Sequence, residues 1–138
     1  MGKRSLNLAD DKMCFGCGSR NAHGLKLKFV VDEEQQMIQT RWTPTKKHQG
    51  YVNILHGGIM ALVLDEMMGN LLWKLKKPAV TAELTVRFHR PAYVGKPISC
   101  EAYIKQEQGR LFWMEAKAED LTGRIVATAT AKCVTAKR

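Results

Sequence analysis

The feature that most restricts the fold is residues 59–75, a segment (IMALVLDEMMGNLLWKL) that is apolar at nearly every helical phase and contains no proline. A helix that is apolar on all sides has to be covered on most sides by other parts of the protein. Lys74, Lys76 and Lys77 lie near the C-terminal end of this segment, where cations interact favourably with the helix dipole. Pro78 is typical of the residues that follow a helix. The segment therefore predicts one long central helix with the rest of the chain wrapped around it.

The other segments alternate between apolar and polar residues, as the strands of a half-buried sheet do. Two strands are predicted before the helix and four after it, at residues 25–31, 37–42, 79–90, 98–108, 111–120 and 125–135. The polar stretch 44–53 is predicted to be a loop. This order indicates an α+β fold, in which an antiparallel sheet curls around one long central helix.

The size and charge of the chain exclude several classes of protein. The 138 residues suit a single domain, residues 1–138, whose first 13 or so form an N-terminal extension. The formal net charge is +9, but the basic residues are spread out and lack the aromatic interleaving of a nucleic-acid surface. This charge suits either a plain solvated surface or a phosphorylated acyl carrier as ligand. No secretory signal is recognisable and no apolar run reaches about 18 residues, so we expect a cytoplasmic protein that binds neither membrane nor nucleic acid.

The helix is preceded by His56-Gly57-Gly58, and the two glycines allow a ligand to approach the backbone closely. The first N–H groups of a helix lack internal acceptors, and the helix dipole favours negative charge at that end. Such a helix start suits a developing oxyanion. The alternative is a glycine turn that only connects the loop to the helix.

Two acidic residues, Asp65 and Glu66, interrupt the apolar helix. Burying a carboxylate is unfavourable unless it is hydrogen-bonded or has a function. Asp65 follows Gly57 by eight residues, which is about 12 Å along a helix axis, so the two residues are compatible with one elongated cleft. Adjacent helical residues differ by about 100° around the axis, and at most one of the two acids faces such a cleft.

The sequence resembles the hotdog-fold acyl-CoA thioesterases, most closely the phenylacetate-pathway (PaaI-like) type. The resemblance depends on His56-Gly57-Gly58 followed by an acid at Asp65 on the central helix, and it covers nearly the whole chain. The matching segments are residues 50–59 (GYVNILHGGI), 64–69 (LDEMMG), 81–84 (TAEL) with Phe88, Pro91 and 95–97 (GKP), and 14–18 (CFGCG) with Asn21, Gly24 and Leu25.

The resemblance implies a role for each matching residue. Asp65 would act as the general base for water or as the nucleophile on the thioester carbonyl. The N–H of Gly57, with that of Gly58, would polarise this carbonyl, and His56 would position the carbonyl or the helix start. Thr81 would help to hold the water. Because the family places its site between two subunits, we expect a homodimer, within a dimer of dimers, in which Asp65 and Thr81 come from different chains.

Three residues are assigned to substrate binding, namely Gly58, Asn53 and Glu66. Some family members carry Asn six residues before the His, but this chain has Gly50 there, and Asn53 is a candidate to replace that Asn. Simple strand alternation places Thr81 with the charged side chains and not with the core. Its implied role therefore requires a β-bulge or a position at an interface.

The pair Cys14-x-x-Cys17 suggests a zinc site or a redox dithiol. A structural zinc site needs four ligands, and no second Cys-x-x-Cys follows. His23, Cys100 and Cys133 do not stand at ligand-like spacings. The surroundings do not match a thioredoxin-like fold either, so we predict no metal and interpret the segment as a turn with free thiols.

The predicted function is that of an enzyme, an acyl-CoA thioesterase for small or medium acyl or aryl thioesters, with no cofactor beyond the coenzyme A of its substrate. One alternative is a hotdog hydratase or dehydratase, which would pair a catalytic His with the helix acid in a context that this chain lacks. Another is a non-catalytic acyl-CoA-binding module. The acyl group is not predicted, because the depth of the pocket depends on tertiary packing and on the partner subunit.

Overall fold

The computed structural model of the protein describes residues 7–136. The chain forms the strands β1 (Val30–Asp32) and β2 (Met37–Trp42), a short 3₁₀ helix (Lys46–His48), the long helix α1 (Gly57–Lys74), and the strands β3 (Ala79–Phe88), β4 (Ile98–Gln108), β5 (Leu111–Glu119) and β6 (Ile125–Thr135). The predicted order of two strands, one helix and four strands is confirmed.

All six strands belong to one antiparallel sheet with the order β1-β2-β4-β5-β6-β3. The strand β3 follows the helix in sequence but pairs with the last strand, β6, and so lies at one edge of the sheet. Many buried positions of β5 and β6 are alanines: Ala116, Ala118, Ala127, Ala129 and Ala131. These small side chains allow the sheet to approach α1 closely.

The helix α1 supplies much of the core, as predicted. Its buried side chains recur every three or four residues and are Met60, Val63, Leu64, Met67, Met68, Leu71 and Leu72. The side that carries Leu62, Asp65, Glu66 and Gly69 is only half-buried. Within one chain the helix is therefore wrapped on most of its sides, in agreement with the expectation from its composition.

The predicted first strand, residues 25–31, is mostly wrong, because only Val30–Asp32 pairs with β2. Lys26 has a φ of 52°, in the left-handed region that ends a regular strand. The N–H groups of Leu25 and Leu27 donate to the carbonyls of Phe15 and Gly16 at 2.9 Å, so this stretch bonds to residues 14–18, which we call the N-terminal turn, and not to the sheet.

The predicted N-terminal extension, residues 1–13, lies partly outside the described residues. From Lys12 onward the chain is tied into the fold, since the Lys12 carbonyl accepts a hydrogen bond from the Arg20 N–H at 2.9 Å. Across residues 7–136, we find no helix with both the length and the apolar character needed to cross a bilayer.

Candidate active site

The start of α1 is capped by His56, whose Nδ1 accepts a hydrogen bond from the Gly58 N–H at 2.9 Å. A Cβ on Gly58 would lie 3.1 Å from two atoms of the His56 ring, so a glycine keeps this cap close. The Gly58 N–H thus already has an acceptor. His56 therefore caps the helix start, and its part in catalysis stays a prediction.

The Gly57 N–H is the donor in the first turn that has no acceptor within residues 7–136. The next two N–H groups, of Ile59 and Met60, both donate to the His56 carbonyl, at 3.0 and 3.2 Å. Gly57 is exposed, and a Cβ there would lie 3.4 Å from the ring of Phe88. An exposed N–H at the positive end of a helix dipole is suited to a partial negative charge on an oxygen.

A cavity of about 350 Å³ lies beside this helix start and is lined by Leu55, Gly57, Met60, Phe88, Arg90 and Val126, among others. Phe88, one of the residues that match the family pattern, is 55% exposed beside this cavity. Arg90 lines the same cavity, and its guanidinium donates to the Ile125 carbonyl at 2.7 Å.

Asp65 meets Thr81 on the side of the helix that faces β3. The Thr81 hydroxyl donates to Asp65 Oδ1 at 2.6 Å, and Asp65 is half-buried. Both residues belong to the same chain, so the expectation that they come from different chains has to be corrected. No donor within residues 7–136 is placed on the other carboxylate oxygen, Oδ2, which is left for a water molecule or a substrate.

A β-bulge places Thr81 on the helix-facing side of the sheet. Thr81 pairs with Cys133 and Glu83 pairs with Lys132, so Ala82 is the extra residue. This shift reverses the alternation before it, and Thr81 falls on the side of the buried Cys133, opposite to the side expected from simple alternation. Burial raises the pKa of the Cys133 thiol, which stays neutral next to the Asp65 carboxylate.

Glu66 lies on a different flank of the helix from Asp65, against the N-terminal turn. The Cys14 thiol donates to both of its carboxylate oxygens at 3.3 and 3.4 Å, and the Asn70 amide donates to Oε1 at 3.2 Å. The structure therefore does not bring Glu66 together with Asp65 and Thr81. We missed Asn70 in the sequence, although its spacing of four residues from Glu66 on a helix was a usable signal.

Asn53 belongs to the loop before the helix. It has a φ of 64°, its N–H donates to Gln49 Oε1 at 3.1 Å, and its side chain accepts from Lys46 Nζ at 3.4 Å. Within one chain these two partners belong to the short 3₁₀ helix and to the residue that follows it. At Gly50, where some family members have Asn, a Cβ would lie 3.4 Å from the His56 Cα, so a side chain at this position would contact the helix cap.

The chain is similar to known proteins in both sequence and fold. Residues 52–127 match the family model of the thioesterase superfamily. The crystal structure of a thioesterase superfamily protein superposes with a TM-score of 0.83 at 23% identity, over 89% of this chain and 60% of that chain. The chain thus spans less than two thirds of the length of that protein. No curated protein matches the chain.

Two further solved structures have similar folds. A phenylacetic acid degradation-related protein from Ralstonia eutropha JMP134 has a TM-score of 0.73 at 23% identity, over 80% of this chain and 86% of that one. A protein from Streptococcus mutans UA159 bound to acetyl CoA has a TM-score of 0.74 at 14% identity, over 79% and 87%. The hotdog fold predicted from the sequence is confirmed.

Proposed function

The chain belongs to the thioesterase superfamily, and from that premise we propose that it hydrolyses an acyl-CoA thioester, with Asp65 as the group that activates water or attacks the carbonyl. The observation that carries the proposal is the hydrogen bond of 2.6 Å from Thr81 to Asp65. It fixes a half-buried carboxylate in one orientation and leaves its second oxygen available. A positioned carboxylate is suited to general-base or nucleophilic catalysis.

The Gly57 N–H is the proposed oxyanion donor. Attack on the thioester carbonyl moves negative charge onto its oxygen, and a helix N-terminus stabilises this charge more strongly in the transition state than in the substrate. The cap formed by His56 occupies the Gly58 N–H and orients the first turn. Gly57 therefore acts alone among the first-turn donors, and His56 serves as a positioning residue.

The active site requires two chains. Gly57 and Asp65 are eight residues apart on one straight element, about 12 Å along its axis, whereas a base and an oxyanion donor have to act within about 3 Å of the same reacting group. We therefore propose that Gly57 of one chain and the Asp65–Thr81 pair of a second chain form each site. This replaces both the single cleft for Gly57 and Asp65 of one helix and the division between Asp65 and Thr81 that we expected from the sequence.

The edge strand β3 is the proposed contact between these two chains. It pairs with β6 on one side, and none of the other described strands covers its second side. It also carries exposed apolar residues, since Val80 is 38% and Phe88 is 55% exposed. An uncovered edge is a template for pairing with another strand. A homodimer joined along β3 would extend the sheet, and a dimer of dimers remains a prediction.

The proposed substrate is a coenzyme A thioester with a small or medium acyl or aryl group. One structural neighbour has acetyl CoA bound, and the formal charge of +9 favours an anionic carrier. The cavity beside Gly57 offers Met60, Leu55 and Phe88 to an apolar group. We propose that no other cofactor takes part in the hydrolysis.

The test is the release of free coenzyme A thiol from a panel of aliphatic and aromatic acyl-CoAs by the purified full chain. Hydrolysis of at least one of them that is lost in Asp65→Asn supports the proposal, and Glu107→Gln, at an exposed acid on β4, is the matched control. Tight binding of acyl-CoA without thiol release would instead identify a binding module. Hydration of an enoyl-CoA without thiol release would identify a hydratase.

A further inference from the structure

The N-terminal turn brings two thiols to the outer flank of α1. Its Gly18 N–H donates to the Cys14 carbonyl at 2.8 Å, and a Cβ on Gly18 would lie 2.5 Å from Cys14 backbone atoms. A Cβ on Gly16 would lie 2.7 Å from the Glu66 side chain. Both glycines are therefore needed for a turn this tight and this close to the helix.

Four polar side chains from distant parts of the sequence meet at this point. Cys14 Sγ lies 3.3 Å from Glu66 Oε1, and Cys17 Sγ lies 3.3 Å from the amide nitrogen of Asn70. That nitrogen is also 3.2 Å from Glu66 Oε1. The donor atoms of Cys14, Cys17 and Glu66 all lie within 4.8 Å of one another. The cysteines are free thiols and do not form a disulfide.

These separations correspond to the edges of a tetrahedral zinc site. Zinc binds sulfur at about 2.3 Å and carboxylate oxygen at about 2.0 Å, which places neighbouring S and O ligands roughly 3.5 Å apart and two O ligands roughly 3.3 Å apart. A 180° rotation of the Asn70 amide exchanges its nitrogen and oxygen and turns an oxygen toward Cys17 and Glu66. The four side chains then supply two S and two O ligands without a change in the backbone.

The charge balance also favours a cation at this point. The Glu66 carboxylate is half-buried and contacts a thiol and an amide. No Lys, Arg or His among residues 7–136 forms an ion pair with it, although the chain as a whole carries a formal charge of +9. A carboxylate removed from water is stabilised by an opposite charge or by metal coordination.

We propose that Cys14, Cys17, Glu66 and Asn70 bind one zinc ion that fastens the N-terminal turn to α1. Sulfur ligands select zinc over magnesium and calcium, which prefer sets of oxygen ligands. The four protein ligands complete the coordination, so the ion has a structural role and not a catalytic one. Binding releases the two thiol protons to solvent. This revises the sequence prediction of no metal, and it does not depend on the proposed hydrolysis.

The first experiment measures the metal content of the full chain. The protein is first reduced, incubated with zinc and passed over a desalting column. About one zinc per chain is expected for the wild type and less than about a tenth of that for Cys14→Ser/Cys17→Ser. Replacing zinc with cobalt(II) should give the thiolate-to-cobalt charge-transfer absorption of a tetrahedral site. Two variants serve as controls: Cys100→Ala removes a thiol outside the site, and Asp65→Asn removes a neighbouring acid. Both should bind as much zinc as the wild type.

Glu66→Gln is the second variant, because glutamine keeps the shape of the side chain and its hydrogen bonds. We expect weaker zinc binding with a native circular dichroism spectrum. At free zinc of about one hundred times the dissociation constant, the wild-type unfolding midpoint should rise by roughly 5–10 °C. The double cysteine variant should show no such rise. The proposal is overturned if the wild type holds no zinc, if the cysteine variant holds as much, or if dissolved oxygen oxidises Cys14 and Cys17 to a disulfide while zinc is present.

Discussion

Two consecutive acids of one helix have entirely different surroundings. Asp65 faces β3, where Thr81 donates to it at 2.6 Å and the buried Cys133 lies behind Thr81. Glu66 faces the N-terminal turn, where it contacts Cys14 and Asn70. We call these two sides of α1 the Asp65 flank and the Glu66 flank. A rotation of about 100° per residue is enough to separate a proposed catalytic site from a proposed metal site.

The surroundings, and not the residue type, distinguish the two carboxylates. On the Asp65 flank, a single donor orients the carboxylate and leaves an oxygen available for chemistry. On the Glu66 flank, both oxygens are engaged by side chains from the N-terminal turn and from the next turn of the helix. The first arrangement suits a reaction, whereas the second suits a fixed structural contact.

The largest expected effect comes from exchanging the two acids for amides in turn. Asp65→Asn should lower kcat/KM for thioester hydrolysis by about 10³-fold, because general-base and nucleophilic steps contribute 10²–10⁴-fold or more. Glu66→Gln should keep kcat/KM within about threefold of the wild type at temperatures where it is folded. Thiol-release kinetics give kcat/KM for both variants. An equal loss of kcat/KM in the two would show that the flanks do not differ in function.

A second prediction concerns the hydroxyl on the Asp65 flank. Thr81→Ala removes a hydrogen bond to a charged group, worth about 1.5–3 kcal/mol, and should lower kcat by roughly 10–100-fold. Thr81→Ser keeps the donor and should recover most of the activity. If alanine and serine lower kcat alike, the hydroxyl is not what orients Asp65, and the loss reflects packing at the bulge.

A third prediction tests the burial of Cys100 in the core beside α1. Burial raises the pKa of the Cys100 thiol from 9.0 to about 12. Because the folded-state pKa is the higher one, its contribution to stability is complete below pH 9 and is lost as the pH rises from 9 toward 12. We expect a loss of about 1.4 kcal/mol per pH unit in this window. Denaturant titrations give the free energy of unfolding at each pH. Above pH 9, this free energy should fall less steeply with pH in Cys100→Ala than in the wild type.

The smallest effect is expected at the helix start that lies on neither flank. His56→Ala removes the cap on the Gly58 N–H and should lower the free energy of unfolding by about 1 kcal/mol. Asparagine is among the best capping residues, so His56→Asn should restore most of this stability. Thermal unfolding of the three proteins provides the measurement. Equal midpoints for alanine and the wild type would show that the cap contributes nothing to stability.

Much of the fold could be predicted from local patterns. The helix was predicted within two residues at its start and one at its end, because its apolar composition and the flanking Gly58 and Pro78 are local signals. The strands β2, β4 and β6 agree with the predicted bounds, since alternation is also local. The strand predicted at residues 25–31 failed because the backbone of Leu25 and Leu27 bonds to a turn ten residues earlier.

The sequence by itself determined the central helix, its glycine start, and the presence of an acid at Asp65, because each depends on residues near one another in the chain. Only the tertiary structure decided which acid meets Thr81, since an extra residue in β3 reverses its alternation. It also decided that Cys14 and Cys17 meet Glu66 and Asn70, across separations of 52 and 53 residues. Contacts over such distances depend on how α1 is rotated against the sheet, and no local pattern records that rotation.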